Sequence, residues 1–293
     1  MPGPTDATHT AAADRLRPLA DWPLDERRRL VGVMTDIDDT LTTEGAITPD
    51  ALAALAALRT AGLHRIAVTG RPVGWSEPFA AAWPLDALVA ENGAVALVPV
   101  AQSGGGARVE RLYRDDAALR AERFERLQQV LVRIEREVAG AVRATDSAGR
   151  ETDIAIDHAE FAHLDEDRIA AVVALMRAEG LHATVSSIHI NGWFGDHDKL
   201  VGARWIVEAL LGRALDAEID RWAYVGDSTN DQTMFGAFPH SIGVANVRRF
   251  VPRLQQLPRY VAQAERGAGF AEVAGAVLQA DPGWPVMPPA SAR

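Results

Sequence analysis

The sequence predicts an α/β fold: a doubly wound parallel sheet into which an α+β segment is inserted. Short, nearly continuous apolar runs such as LVGVMT at residues 30–35 are typical of strands buried on both faces of a parallel sheet. These runs alternate with helical segments, which implies right-handed crossovers between parallel strands. Between about residues 100 and 198 the strands instead alternate apolar and polar side chains, as half-exposed antiparallel strands do.

The first third of the chain contains three strands of the buried kind. The first runs from Leu30 to an acidic cluster that starts at Asp36. A helix then begins at Thr48-Pro49, a capping residue followed by proline at the first helical position, and Gly62 ends it. The following segments are predicted as a strand at 64–70, a helix at 77–83 and a strand at 87–95.

The inserted segment follows a glycine-rich turn at residues 102–106. It is predicted to contain alternating strands at 108–114, 152–158 and 182–190 and helices at 117–138 and 165–180. The buried pattern then returns, with a helix at 199–211, a strand at 221–227, a helix near Thr233, a strand at 241–246 and a last helix at 270–278. We therefore expect an α/β core over 27–98 and 195–281, an inserted domain over 99–194, a flexible N-terminal arm over 1–26 and a C-terminal tail over 282–293.

Composition excludes several classes of protein. The chain has 293 residues, a formal net charge of −10 and a pI near 5.3, so its overall field repels nucleic acid and anionic membranes. It has no cysteine, which rules out disulfides, thiolate metal sites and a cysteine nucleophile. We expect no secretory signal, because the first 30 residues lack its apolar core, and no membrane span, because no apolar run is long enough. We expect a cytoplasmic monomer or homodimer that binds neither nucleic acid nor membranes.

Four polar clusters are predicted to lie at the carboxyl ends of strands, at the sheet edge where open α/β proteins bind ligands. They are Asp36-Ile37-Asp38-Asp39-Thr40, Thr69-Gly70-Arg71, Lys199, and Gly226-Asp227-Ser228-Thr229-Asn230-Asp231. Each cluster alone has an ordinary alternative, because aspartates cap turns and helices and a lysine can be a solvated surface residue. Their order along the chain favours a functional site. Lys199 is also the only lysine among 30 lysine and arginine residues.

The residue types in these clusters suit phosphoryl transfer. Asp36 and Asp38 lie two apart on an extended segment, so both can face one crevice, and Asp227 and Asp231 add further carboxylates. Crowded carboxylates require a cation or a shared proton, and oxygen ligands without histidine or cysteine suit Mg²⁺. An incoming phosphoryl group also needs a cation and a hydroxyl donor, which Lys199 and Thr69 can supply.

Together, DIDDT, VTGR, DK and VGDSTND resemble the four motifs of the haloacid dehalogenase (HAD) superfamily. The resemblance implies that Asp36 is a nucleophile forming an aspartyl-phosphate and that Asp38 is the general acid and base. It implies that Thr69, Gly70 and Lys199 bind phosphate. Mg²⁺ would be held by Asp36, the main-chain carbonyl of Asp38, and Asp227, with Asp231 beside it. The position of the insertion resembles the C2B cap of the Cof-like group, which includes sucrose-phosphate, trehalose-phosphate and mannosyl-phosphoglycerate phosphatases.

Several other residues are candidates for substrate contact. They are Arg71, Glu91, Asn92, His189, Asn191 and Trp193. Each has a structural alternative: a tight turn for Glu91-Asn92, and packing near the predicted hinge for the last three. Asn246 is a turn residue that could brace Asp231, and we expect Asp157 and His158 to be surface residues.

The sequence therefore predicts a Mg²⁺-dependent phosphatase for a small phosphorylated metabolite, with sugar phosphates first. A phosphomutase or phosphotransferase would use the same four motifs. A phosphoacceptor signalling domain is a further alternative, disfavoured because its acidic pair and lysine come from one short uninterrupted domain.

Overall fold

The computed structural model of the chain describes residues 16–101 and 107–280. Its strands are β1 (Arg17–Pro18), β2 (Gly32–Thr35), β3 (Thr42–Thr43), β4 (Ala46–Ile47), β5 (His64–Val68), β6 (Ala87–Ala90), β7 (Val95–Ala101), β8 (Ala107–Tyr113), β9 (Val142–Arg143), β10 (Asp153–Asp157), β11 (His182–Val185), β12 (His189–Trp193), β13 (Trp222–Gly226), β14 (His240–Gly243) and β15 (Tyr260–Val261). Its helices are α1 (Leu24–Arg27), α2 (Pro49–Thr60), α3 (Val73–Ala82), α4 (Ala117–Glu137), α5 (Glu166–Ala178), α6 (Lys199–Leu211), α7 (Gln232–Ala237) and α8 (Arg266–Leu278). None of these helices is long and apolar enough to cross a membrane.

The described chain forms two compact units. The first comprises residues 16–65, 218–227 and 234–280, and the second comprises 66–101, 107–217 and 228–233. The first unit contains parallel strands in the order β1-β15-β14-β13-β2. Every residue of β2, β13 and β14 is buried, as the continuous apolar runs predict. The predicted α/β fold with a parallel sheet is confirmed.

Packed structure in the first unit begins within the predicted N-terminal arm. Strand β1 pairs in parallel with β15, and Leu16, Leu19 and Trp22 are buried. The indole Nε1 of Trp22 donates to Nδ1 of His240 at 3.3 Å. The arm predicted over 1–26 therefore overlaps packed structure from Leu16 onward, while residues 1–15 and the predicted tail lie outside the described residues.

In the second unit, β6 pairs in parallel with β5, and β7 and β8 continue the pairing as antiparallel strands. The predicted boundary at residue 98 falls inside β7, and β8 pairs with β7 rather than with the strands of the inserted segment. Alternation at 108–114 indicates a half-exposed strand, but it does not reveal which strand is the partner.

The second unit also holds a four-stranded antiparallel sheet in the order β11-β12-β10-β9. Apolar residues of α4 and α5 share a hydrophobic core with this sheet, including Leu127, Ile154 and Met176. This is the α+β content expected of the inserted segment, and its limits at 99–194 stay a prediction.

Two predicted strands of this sheet differ from the structure: the one at 182–190 is two antiparallel strands, β11 and β12, and the one at 152–158 does not alternate. Strand β10 is buried along its whole length instead of alternating. Its last residue, Asp157, expected at the surface, is buried, and its two carboxylate oxygens accept the main-chain amides of 159–162. Those four bonds offset the cost of removing the charge from water.

Candidate active site

In the first unit, the acidic pair follows the buried strand β2. The amide of Asp36 donates to the carbonyl of Val225 in β13 at 2.9 Å, so the strand pairing continues one residue beyond β2. The Asp36 side chain is buried and that of Asp38 is half-buried. The carbonyl of Ile37 between them accepts three amides, from residues 40 to 42, which turns the chain sharply after the pair.

Asp227 follows strand β13 and is fully buried. Its Oδ2 accepts a hydrogen bond from Nδ2 of Asn246 at 3.0 Å, and the same amide donates to the main-chain oxygen of Asp39 at 3.0 Å. The Oδ1 of Asn246 accepts the amide of Arg266 at 3.0 Å, which fixes the orientation of the Asn246 side chain. We predicted that Asn246 could brace Asp231. It braces Asp227 instead, because 246 follows the strand β14 that pairs with β13.

In the second unit, the only lysine of the chain is buried. Lys199 begins α6, and the side chain of Asp198 caps that helix by accepting the amide of Val201 at 2.8 Å. The side chain of Lys199 is 2% exposed, and its Nζ lies 2.7 Å from Oδ1 of Asp231. The Oδ2 of Asp231 accepts the amide of Ser228 at 3.1 Å. Lys199 is therefore not a solvated surface residue.

Three of the predicted acidic residues come together. Asp36, Asp227 and Asp231 are buried and offer one carboxylate oxygen each, and these oxygens lie within 4.8 Å of one another. We call these three residues the acidic group. Hard oxygen ligands of this kind suit a cation such as Mg²⁺. The acidic group could therefore hold a metal ion; a contribution from the carbonyl of Asp38 stays a prediction.

The predicted phosphate loop is held through its backbone. Thr69 is buried directly after β5, and its Oγ1 accepts the amide of Arg71 at 3.1 Å. The carbonyl oxygen of Gly70 accepts from Nη1 of Arg150 at 3.0 Å and from Nδ2 of Asn191 at 3.2 Å. A Cβ at Gly70 would lie only 3.3 Å from Oδ1 of Asn191, so this close approach favours glycine.

A buried carboxylate, Asp153 at the start of β10, binds the donors of this loop. It accepts from Nη1 of Arg150 at 2.8 Å and 3.0 Å, and its Oδ2 also accepts from Asn191 at 3.1 Å and from Asn92 at 3.3 Å. Burial raises the pKa of Asp153 to about 7, although the charge of Arg150 opposes the shift.

A second carboxylate, Glu160, joins two of the predicted substrate residues. It accepts from Nη2 of Arg71 at 2.7 Å and contacts Nε2 of His189 at 2.9 Å. Burial works against ionisation, but the hydrogen bonds from His189 and Arg71 prevail and lower the pKa of Glu160 to about 2. Arg71 also pairs with Asp146 at 3.1 Å, and Asp146 pairs with Arg150 at 3.1 Å. Arg71, Asn92, His189 and Asn191 thus belong to one polar network.

The remaining two candidates have structural surroundings. Glu91 is fully buried and accepts the amides of Val73 and Thr152, at 3.1 and 2.5 Å, and burial raises its pKa. Trp193 is buried, donates its Nε1 to the carbonyl of His197 at 2.8 Å and stacks on the His197 ring. Substrate contact by either stays a prediction.

Four charged members of the network were not among the predicted site residues: Asp146, Arg150, Asp153 and Glu160. The alternating pattern of residues 152–158 suggested an exposed polar face. Charged residues in that pattern are ordinarily solvated, so the place of Asp153 in the network is evident only from the burial of β10.

Comparisons with known proteins concern the sequence family and the fold of this chain. Residues 33–113 match the sequence model of the haloacid dehalogenase-like hydrolases. A search of curated proteins gave no significant match.

Solved structures of low sequence identity share the fold. A HAD/Cof-like hydrolase of Plasmodium vivax superposes with a TM-score of 0.62 at 16% identity, covering 88% of this chain and 100% of its own. The sucrose-phosphatase of Synechocystis, solved with sucrose and phosphate, gives 0.58 at 16% identity over 85% and 98%. A HAD subclass IIB sugar phosphatase gives 0.53 at 15% over 79% and 92%. The family match and the shared fold together confirm the resemblance of this chain to the haloacid dehalogenase-like hydrolases.

Proposed function

We propose that this protein is a Mg²⁺-dependent phosphomonoesterase that acts through an aspartyl-phosphate on Asp36. The acidic group carries this proposal: three buried carboxylates offer oxygens within 4.8 Å of one another, and Asp231 also binds the only lysine. Crowded buried carboxylates repel unless a cation is present, and a lysine held beside them suits an incoming phosphoryl group.

The proposed chemistry assigns two different protonation states to the acidic pair. Ionised Asp36 attacks phosphorus in line, forming a new P–O bond as the bond to the alcohol oxygen breaks, and protonated Asp38 gives its proton to the departing alcohol. Asp38 then takes a proton from water, whose oxygen attacks the same phosphorus and regenerates the Asp36 carboxylate with release of phosphate. The half-buried position of Asp38 supports its exchange of protons with water.

Asp36, Asp227 and the carbonyl of Asp38 would hold the metal in this proposal, and bound Mg²⁺ would neutralise charge on the phosphoryl oxygens. Asn246 supports this arrangement because its amide fixes Oδ2 of Asp227. We assign Lys199 and Thr69 to the phosphate, one as a point charge and the other as a hydroxyl donor.

The substrate we propose is a sugar phosphate. The polar network contains two arginines, Arg71 and Arg150, and three carboxylates, Asp146, Asp153 and Glu160. Because both arginines are already paired with these carboxylates, the network does not favour a second anionic group and suits hydroxyls instead. The sugar phosphatases among the structures of shared fold agree with this class.

A phosphate-release screen tests the proposal over sugar phosphates, nucleotides and phosphoglycerates, with Mg²⁺ or with EDTA. We expect Asp36→Asn to abolish release from every substrate, and EDTA to do the same to the wild type. Asp39→Asn is the matched control: Asp39 adopts a positive φ of 54°, which asparagine tolerates, and its side chain pairs with Arg266.

Turnover by Asp36→Asn near that of the wild type would refute the assignment. Adding an acceptor sugar distinguishes hydrolysis from transfer, since a phosphotransferase would move the phosphoryl group without releasing free phosphate.

A further inference from the structure

The phosphate-loop threonine has a hydroxyl that the protein holds as an acceptor. Thr69 is fully buried, and its Oγ1 accepts the amide of Arg71 at 3.1 Å. A threonine hydroxyl can accept and also donate one hydrogen. With the amide of Arg71 occupying one lone pair, the hydrogen of Thr69 is left for another acceptor, and the described hydrogen bonds include none donated by it.

The direction of the Arg71 amide depends on the carbonyl of Gly70. These two groups belong to one planar peptide, and the described chain has no cis peptide bond, so they point in opposite directions. Whatever fixes the Gly70 oxygen therefore fixes the Arg71 N–H and, through it, the Thr69 hydroxyl.

Two side chains from the inserted segment fix that oxygen. Nη1 of Arg150 and Nδ2 of Asn191 donate to the Gly70 oxygen at 3.0 and 3.2 Å. Both donors are held in turn by Asp153, at 2.8 and 3.1 Å, and all three side chains are at least 97% buried. Buried groups joined in this way have little freedom to reorient.

We propose that Arg150 and Asn191 are positioning residues that, by holding the Gly70 carbonyl, orient the Thr69 hydroxyl toward a phosphate oxygen. Residues 150 and 191 lie within the predicted inserted domain, whereas Thr69 lies within the predicted core. The phosphate site is therefore complete only when the inserted domain supplies its two donors. This inference rests on the proposed function, since it assigns phosphate to Thr69.

We call the path from Arg150 and Asn191 through the Gly70–Arg71 peptide to Thr69 the relay. A double-mutant cycle tests it, because the effects of substitutions that act through one group are not additive. Thr69→Val keeps the shape and removes the hydroxyl; we expect kcat/KM to fall about 100-fold, as for a lost oxyanion donor. Asn191→Ala alone is expected to lower it about tenfold, the effect of one hydrogen bond. In the Thr69→Val background, Asn191→Ala should cost no more than about twofold further.

Arg150→Lys gives a second, independent arm that retains the positive charge, and it should show the same non-additivity with Thr69→Val. Arg143→Lys is the control: this arginine also lies in the inserted segment, but it pairs with Glu135 and is 43% exposed. We expect it to leave kcat/KM unchanged. Thermal melting of every variant separates loss of fold from loss of positioning.

Calorimetric titration with inorganic phosphate and Mg²⁺ repeats the cycle without turnover. Non-additive phosphate binding by a protein that hydrolyses no ester would support the relay and refute the proposed function. If the protein hydrolyses esters but the effects of the two substitutions on kcat/KM multiply, the relay is refuted and the proposed function is not. A wild-type protein that binds no phosphate would overturn both.

Discussion

Replacing Lys199 with methionine or arginine separates the charge of this residue from its shape. The ammonium is buried 2.7 Å from Asp231. Removing a unit charge about 4 Å from a phosphoryl oxygen, at an effective dielectric constant near 20, costs about 4 kcal/mol. Lys199→Met should therefore lower kcat about 1000-fold. Lys199→Arg keeps the charge but places a wide planar group in a close-packed site, and a displacement of about 1 Å can cost about 100-fold.

Steady-state kinetics of phosphate release, with thermal melting for each variant, measures these effects. Arg204→Lys on the same helix is the matched control, since Arg204 is 43% exposed and pairs with Asp216, and exposed pairs contribute little. A kcat for Lys199→Arg within about threefold of the wild type would show that a compact charge is not required there.

Two further predictions concern pH and metal binding. Burial and the charges of Arg114 and Arg123 lower the pKa of His197 in the folded protein to about 4, from 6.5. As pH falls, His197 is therefore protonated first in the unfolded chain, and the folded state loses stability between about pH 6.5 and 4. The free energy of unfolding, measured with urea, should fall by about 3 kcal/mol over this pH range in the wild type but not in His197→Gln. An equal pH dependence of the two proteins would contradict this prediction. Asn246→Ala should weaken Mg²⁺ binding about tenfold by releasing Asp227, as calorimetric titration would detect; unchanged affinity would exclude this bracing role.

The sequence was sufficient for the buried strands and for the residues that follow them. Continuous apolar runs identify β2, β5 and β13 because both faces of these strands are covered. Two of the polar clusters at their ends contributed Asp36 and Asp227 to the acidic group, and burial of Lys199 agrees with its suspected role. The pattern was informative here because apolar and polar residues separate cleanly along the chain.

The polar network was not predictable for the opposite reason. Asp153 and Asp157 give β10 the alternation of a half-exposed strand, yet the strand is buried throughout. An ion pair with Arg150, three residues earlier, and the main-chain amides that follow Asp157 make such burial possible. Asn92 and Asn191, which also bind Asp153, come from distant positions that the sequence pattern does not connect. Likewise Asn246 was matched to the wrong aspartate, because pairing between strands and not sequence distance decides which carboxylate it reaches.

The two kinds of cation in this chain have different tasks, which the geometry explains. Arg150 donates through its fork to Asp146, Asp153 and the Gly70 carbonyl at once, and a single ammonium could not span these acceptors in fixed directions. Lys199 contacts the carboxylate of Asp231 and lies beside residues that we assign to a transferring phosphoryl group, whose oxygens move during reaction. A compact charge with rotatable donors can follow them, whereas a rigid fork would favour one geometry over the transition state. Arg150→Lys and Lys199→Arg should therefore both lower activity. At 150 the loss comes from acceptors that need donors in fixed directions, and at 199 it comes from replacing a mobile donor with a rigid one.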